Sequence, residues 1–380
     1  MPPSAKALLS NGAVAVFALA LAFMLGEFLV RVLYKDETVL FPRYHTDYKY
    51  GPYVIRGIRP NSNYWMTSVD GSWNFVTNNS GFRNAKDFSY AKPKNMVRVL
   101  SLGDSHTQGY EVREYSTFSA VLERSIGLRG GSAEVINAGV SGFSTAEAMV
   151  FLENEGFKYN PDVVVLGFFA NDFEDNLKAG LFGLDNQEKL TELKYEHIPG
   201  VRIQNVIYRI PPIRWLSENS YFYSLLFNTA WKFFKVRLAE STAQQAAAES
   251  ASPVTMGGLP EYAVPTGTTF SQYQISLAAA LIERMGKFCE ERKIRFIVVD
   301  IPLSAGRYRF MSSLPPELVD RLKAARIEYV SSASALHSID GLTDLHVQHG
   351  HQHISEVTHT LIGAEIGRRL ITTGIGAARY

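Results

Sequence analysis

Residues 8 to 33, LLSNGAVAVFALALAFMLGEFLVRVL, form a nearly unbroken apolar run; beyond them short apolar runs alternate with amphipathic stretches. Crossing a bilayer core takes about 20 mostly apolar residues, and the run reaches that length. Its two late charges, Glu27 and Arg31, stand four apart, so they can pair on one helix face and reach the interface. The following EFLVRVLYKD lacks the small residues that a signal-peptide cleavage site requires. The run is therefore expected to be an uncleaved transmembrane anchor. Lys6 precedes it and Arg31 and Lys35 end it, so flanking charge does not set the topology.

A second pattern begins at residue 97. VRVLSLG (97–103), AEVINAG (133–139) and DVVVLGFFA (162–170) are short apolar runs bounded by turn residues, which predicts buried strands. IRFIVVDIP (294–302) and IEYVSS (327–332) repeat the pattern late in the chain. Helical spacing fills the intervals: STFSAVLERSIG (116–127), STAEAMVFLENEG (144–156), residues 272–291, PELVDRLKAAR, and about 355–371. The second of these opens with Ser144-x-x-Glu147, a capping box. Strands alternating with helices imply a parallel sheet of about five strands covered on both faces, a three-layer α/β/α sandwich.

Two stretches interrupt this order. Residues 36–95 are rich in Tyr, Asn, Pro and Gly without a long periodic run, and are expected to form an irregular lead-in. Residues 176–270 lose the βα alternation and are expected to be an insertion into one domain spanning 96–375. Within it RWLSENSYFYSLLFNTAWKFFKVRL (214–238) predicts an amphipathic helix, and STAQQAAAESASPVTMGG (241–258) has linker composition.

Composition narrows the function classes. The chain of 380 residues carries a formal net charge of +1, so no nucleic-acid partner held by electrostatics is expected. The single cysteine, Cys289, excludes an internal disulfide and is expected to be a buried apolar residue.

Open α/β sheets place their sites at the carboxyl ends of the strands. Gly103-Asp104-Ser105-His106 follows the first strand, Asn137-Ala138-Gly139-Val140-Ser141-Gly142 the second, and Ala170-Asn171-Asp172 the third. HVQHGHQHISEVTH (346–359), with five of the nine histidines, precedes the last helix. These are the parts for acyl transfer: a hydroxyl nucleophile, an imidazole base, and N–H donors for an oxyanion. Each has a plainer reading. Ser105 could cap a helix, Gly142 could serve a turn, and Asn171, Asp104 and Asp172 could hold loop backbone. His106 is expected at the rim, and His346, His349 and His359 as loop and helix residues. A zinc site in the histidine run lacks an accompanying cysteine or acidic cluster, so no metal and no cofactor are expected.

The four segments, in this order, resemble the SGNH hydrolases, also called the GDSL lipase/esterase family. GDSH carries the family's first block, with His106 where Leu is more usual. NAGVSGFST carries the second, FFANDFEDN the third and HISEVTHTLIG the last. The resemblance covers roughly residues 97–371; FVTNNSGFRN (75–84) and WLSENSYFY extend it toward a membrane-anchored bacterial branch. It implies the flavodoxin-like SGNH fold, Ser105 as nucleophile, His353 as base, and Gly142 and Asn171 in the oxyanion hole. It also implies an esterase or deacetylase acting without metal or cofactor. The G-x-S-x-G elbow of the α/β-hydrolase fold is absent.

One departure bears on mechanism. The family places an Asp two or three residues before the histidine, where this chain has His351 and Gly350. The group orienting His353 is expected to be a backbone carbonyl, then Asp344, then His351. The expected activity is ester hydrolysis on an acylated small molecule or polysaccharide of the cell envelope, with the site outside the cytoplasm, periplasmic or extracellular. The alternatives are an O-acetyltransferase modifying an exported polysaccharide, or a catalytically weak carbohydrate-binding or assembly protein.

Overall fold

The computed structural model describes residues 5–35, 38, 40, 44–68, 70–193, 206, 209–227, 229–230, 270–348 and 353–374. The first apolar run is one helix, α1 (Ala5–Leu33). Its stretch Ser10–Leu33 is long and apolar enough to cross a membrane, a property that signal sequences share.

The lead-in is not irregular. It holds two antiparallel hairpins, β1 (His45–Tyr50) with β2 (Tyr53–Ile58), and β3 (Asn63–Ser68) with β4 (Gly71–Val76). Aromatic and β-branched residues between tight turns at Gly51 and Gly71 suit strands, but each run is too short and too tyrosine-rich to show a clear period. Tyr44, Ile55, Ile58, Met66, Trp73 and Phe75 from this region all join the main core.

The sheet consists of β5 (Val97–Gly103), β6 (Ala133–Asn137), β7 (Val163–Phe168), β10 (Arg295–Asp300) and β13 (Glu328–Val330). All pair in parallel, in the spatial order β13-β10-β7-β5-β6. Counting sheet strands alone, this is the doubly wound order 2-1-3-4-5. The intervening labels belong to short hairpins, β8 (Phe182–Leu184) with β9 (Leu190–Glu192) and β11 (Leu303–Ser304) with β12 (Phe310–Met311).

The central strand β7 is buried at every position, as a parallel strand covered on both faces must be. Its side chains divide by parity. Val164, Leu166 and Phe168 enter one apolar layer, with α4 (Thr145–Asn154), α7 (Gln272–Glu291), α8 (Pro316–Ala324) and the lead-in hairpins. Val163 and Val165 enter the other, with α3 (Phe118–Gly127) and α10 (Glu356–Thr372). The capping box on α4 is formed, Ser144 accepting from the Glu147 N–H while the Glu147 side chain accepts from the Ser144 N–H. Cys289 is fully buried.

Within the insertion, the expected amphipathic helix is broken. Its described part is α6 (Pro211–Asn219) followed by a separate helical stretch over 221–227, with 229–230 helical as well. Ser220, extended at φ −112°, ψ 117°, separates them. The stretch of linker composition at 241–258 lies outside the described residues.

Candidate functional site

In this strand order the chain reverses direction across the sheet between β5 and β7, and the crevice there is where doubly wound folds bind ligands. Ser105 follows β5 and Asn171 follows β7. Gly103 closes β5 at φ +144°, and a Cβ on it would lie 2.6 Å from the Gly167 carbonyl oxygen. Only glycine lets the two strands part that closely. Asp104 then accepts a hydrogen bond from the His106 N–H (2.9 Å) and opens α2 (Ser105–Gln108), with Ser105 as its first residue. Asp104, rather than Ser105, is the cap.

His353 stands directly before α10. Its Nε2 lies 2.8 Å from Ser105 Oγ, joining residues 248 apart in sequence. Its Nδ1 lies 2.8 Å from Glu111 Oε2. Glu111 is buried, with no exposed side-chain surface. With Nδ1–H donating to this carboxylate, Nε2 is left with its lone pair facing the serine hydroxyl. The Tyr110 and His106 rings each pack 4.8 Å from the His353 ring and limit its rotation.

The group on His353 is thus a carboxylate that the sequence reading did not name. Neither Asp344 nor a backbone carbonyl is the group that meets Nδ1 among the described residues. Asp344 accepts from Gln348 Nε2 (2.6 Å) and faces Arg307 at 3.8 Å, and no backbone carbonyl is needed where Glu111 fills the position. His351 lies outside the described residues. Glu111 arrives there because the chain turns twice after one turn of α2. Gly109 is left-handed (φ +77°), and its N–H returns to the Ser105 carbonyl. Glu111 is itself left-handed at φ +65°. That is unusual for a residue with a Cβ, and such conformations persist where surroundings enforce them. Here the enforcement comes from the lead-in. Arg83 is fully buried, stacks on Phe75 at 4.3 Å, and donates to the carbonyls of Val76, Asn74 and Val112. The last contact clamps the backbone next to Glu111. The only sequence signal was a lone acid in an apolar GYEV after a glycine, which is too weak to stand out.

The second loop is held by the lead-in as well. The Arg83 N–H donates to the Asn137 carbonyl, and Asn84 exchanges bonds with the Asn137 N–H and the Val135 carbonyl. This is the structural content of the NNSGFRN stretch. Beyond it Ser141 is gripped by Tyr44 (hydroxyl to Oγ, 3.1 Å), His45 (Nε2 to the carbonyl, 3.1 Å) and Arg56 (Nη1 to the carbonyl, 3.4 Å). Gly142 follows in a left-handed conformation, φ +78°.

At the third loop, Asp172 accepts from the Phe169 N–H and from Thr145 Oγ1, a scaffolding role. The Asn171 side chain lies beside Asp104. Burial pushes the Asp104 carboxyl up to about 6, opposed by the His106 N–H, the charge of His353 and the Asn171 side chain. Burial, reinforced by Asp104, raises Asp172 well above the usual carboxylate range.

His106 is not at the rim. It is 4% exposed, packs 4.0 Å from the Phe169 ring, and accepts from the Ile354 N–H. Burial, followed by the charge of His353, holds it well below the usual imidazole range. His346 is buried and bonds the Pro302 carbonyl; His349 lies outside the described residues. No group of three or more metal-ligating side chains occurs among the described residues.

His359 is buried in α10 and accepts from the Phe118 N–H at 3.1 Å. Burial pushes its pKa down to about 3. Because the unfolded chain takes up this proton first, the stability from neutral His359 is complete above about 6.5 and falls as pH drops toward 3. One such group contributes a slope of at most about 1.4 kcal/mol per pH unit. Urea midpoints at pH 7 and pH 5 are expected to differ more for the wild type than for His359→Gln. Equal losses would remove His359 from the acid limb.

No protein-family model matches the chain. One curated relative, an uncharacterized protein of Mycoplasma pneumoniae, is 29% identical over 138 residues, 34% of this chain and 16% of that protein. The chain therefore spans only a small part of that relative's length. Similar solved structures include a lipase/acylhydrolase from Enterococcus faecalis (17% identity, 75% of this chain, 100% of that chain, TM-score 0.40). A lipolytic G-D-S-L family protein from Veillonella parvula is similar at 14% identity, over 73% and 98% of the two chains, with a TM-score of 0.34. An acetyl-xylooligosaccharide esterase from Geobacillus is similar at 11% identity, over 77% and 100%, with a TM-score of 0.36. Likeness at this level carries no functional argument, which rests on the residues themselves.

Proposed function

We propose that the chain is a serine acyl-ester hydrolase of the SGNH type, held at a membrane by α1 with its catalytic body outside the cytoplasm. The observation that carries the reading is the continuous chain Ser105–His353–Glu111, with 2.8 Å at each link. Ser105 Oγ attacks the acyl carbonyl carbon while His353 Nε2 takes its proton; Glu111 holds the ring's tautomer and steadies the imidazolium that forms. The carbonyl oxygen becomes an oxyanion, for which the N–H groups of Ser105 and Gly142 and the Asn171 amide are the donors. Collapse expels the alcohol, which receives the proton from His353. Water, deprotonated by the same imidazole, then releases the acid and restores Ser105.

The weak-site alternative drew its force from an absent orienting acid, and Glu111 removes that motive. The substrate class is an acyl ester. An exported or cell-envelope acceptor fits a body tethered beside a membrane. A fluorophosphonate probe tests the reading without knowledge of the substrate. Wild-type protein is expected to label stoichiometrically, with the adduct mapped by mass spectrometry to the peptide containing Ser105. Absence of labelling in folded protein, or an adduct elsewhere, would overturn it.

A further inference from the structure

Glu27 is a carboxylate inside an apolar span. It lies six residues before the end of α1, about 9 Å along the helix axis. A charge at such depth is costly unless protein groups replace water around it. They do so here, and apart from Arg31 they come from the insertion. Glu27 accepts from Arg31 Nε (2.7 Å), from Ser220 Oγ (2.7 Å), and from the backbone N–H groups of Tyr221 (3.1 Å) and Phe222 (2.9 Å). The carboxylate thus caps the helix at 221–227, whose first N–H groups would otherwise need water. Arg31 adds a bond to the Asn219 carbonyl (3.1 Å) and stacks on the Tyr221 ring at 4.8 Å.

Apolar contacts surround this joint. The Phe222 ring meets Phe23 edge-on at 5.4 Å and lies on the bare backbone of Gly26, where a Cβ would stand 2.8 Å away. Val30, Leu40 and Tyr221 form a separate buried cluster with Phe222 and Leu225 against it. Residues 219–225 therefore sit at the level of Glu27, alongside the span and below its end. Large apolar side chains face outward from the insertion segment: Ile210 is 46% exposed, Trp215 61% and Leu226 52%, with the polar Arg209, Arg214 and Asn219 exposed beside them and Arg214 paired to Glu218.

We propose that residues 210–227 form a helical hairpin embedded in the interface of the same bilayer that α1 crosses, with lipid covering Ile210, Trp215 and Leu226. Glu27 is the latch that fixes its depth. Lipid is the occupant because the hairpin is continuous with the span at a point inside its apolar length. Trp215, one helical turn before the Asn219 that meets Arg31, is of the residue type that membrane interfaces favour. The hairpin gives the body a second attachment, so the body cannot swing freely about a single helix.

The inference rests on the anchor reading, and the experiment separates the two. The full chain is reconstituted in phosphatidylcholine vesicles with a nitroxide at Trp215→Cys, Leu226→Cys or Leu128→Cys. Leu128, 88% exposed at the end of α3, is the aqueous reference. The native Cys289 is buried, which pushes its thiol up to about 12 and leaves it unlabelled. Accessibility to dissolved oxygen is expected to exceed that to a nickel chelate at 215 and 226, and the reverse at 128. Adding Glu27→Leu is expected to return the 226 label to the aqueous pattern while the chain stays in the membrane. Labels at 215 and 226 that match 128, in protein resisting carbonate extraction, would overturn the hairpin. Release of the chain by carbonate would overturn the anchor beneath it.

Discussion

Glu111→Gln is expected to lower kcat on a soluble ester by roughly 10⁴-fold, the scale on which a hydrolase loses activity when its orienting acid becomes an amide. The amide keeps the size and leaves the left-handed loop intact, but it no longer demands a proton on Nδ1. The imidazole can then present N–H to Ser105 in place of a lone pair, and the imidazolium loses its counter-charge. KM is expected to change little, since Glu111 is buried behind His353 and meets no substrate. Asp344→Ala is the matched control, because that carboxylate engages Gln348 and Arg307; it is expected to retain near wild-type activity. Thermal melts of both variants separate chemistry from folding. A nearly active Glu111→Gln beside an inactive Asp344→Ala would refute the assignment of the acid.

Ser105→Ala and His353→Ala are each expected to reduce kcat by on the order of 10⁶-fold, and the double variant to be no worse than either alone. The reason for the non-additivity is chemical. Without the serine there is no nucleophile for the base to activate, and without the base the hydroxyl stays protonated. Asn171→Ala is expected to cost less, about 10²–10³-fold, as the loss of one oxyanion donor does. The ordering is the test. If Asn171→Ala were as severe as Ser105→Ala, its place beside Asp104 would make it a structural support of the nucleophile loop, to be recognised by a lowered melting temperature. Substantial turnover in Ser105→Ala would refute covalent catalysis through this residue.

Some features could be read from sequence because they depend on neighbours a few residues away. The sheet strands are runs such as VVVLGF, apolar at every position because both faces are covered. The α4 cap is legible because Ser144 and Glu147 satisfy each other's backbone within one turn. Ser105 and Asn171 could be picked out because each closely follows a strand, and parallel strands bring such ends to one edge; Gly142 and His353 are singled out by the resemblance of their segments to the SGNH motifs.

Other features depend on approach between segments distant in the chain. His106, one residue from Ser105, reads as a rim residue until Phe169 and His353 close over it. The lead-in reads as irregular because its strands are six residues each and gain their burial from the sheet body. The insertion reads as one amphipathic helix because the partner that breaks it, Glu27, stands 193 residues earlier.

By itself the sequence determined the layers, the five strands of the parallel sheet, the span-length helix and the segments that meet at the sheet's carboxyl edge, because periodicity, capping and turn chemistry are local. Only the tertiary structure decided which acid faces His353. Asp344 is nine residues from it and Glu111 is 242, yet the nearer carboxylate is engaged by Gln348 and Arg307. Two left-handed turns after α2 and the buried Arg83 swing Glu111 onto the imidazole. The balance is set by loop geometry and a clamp from another part of the chain, neither of which leaves a period in the sequence.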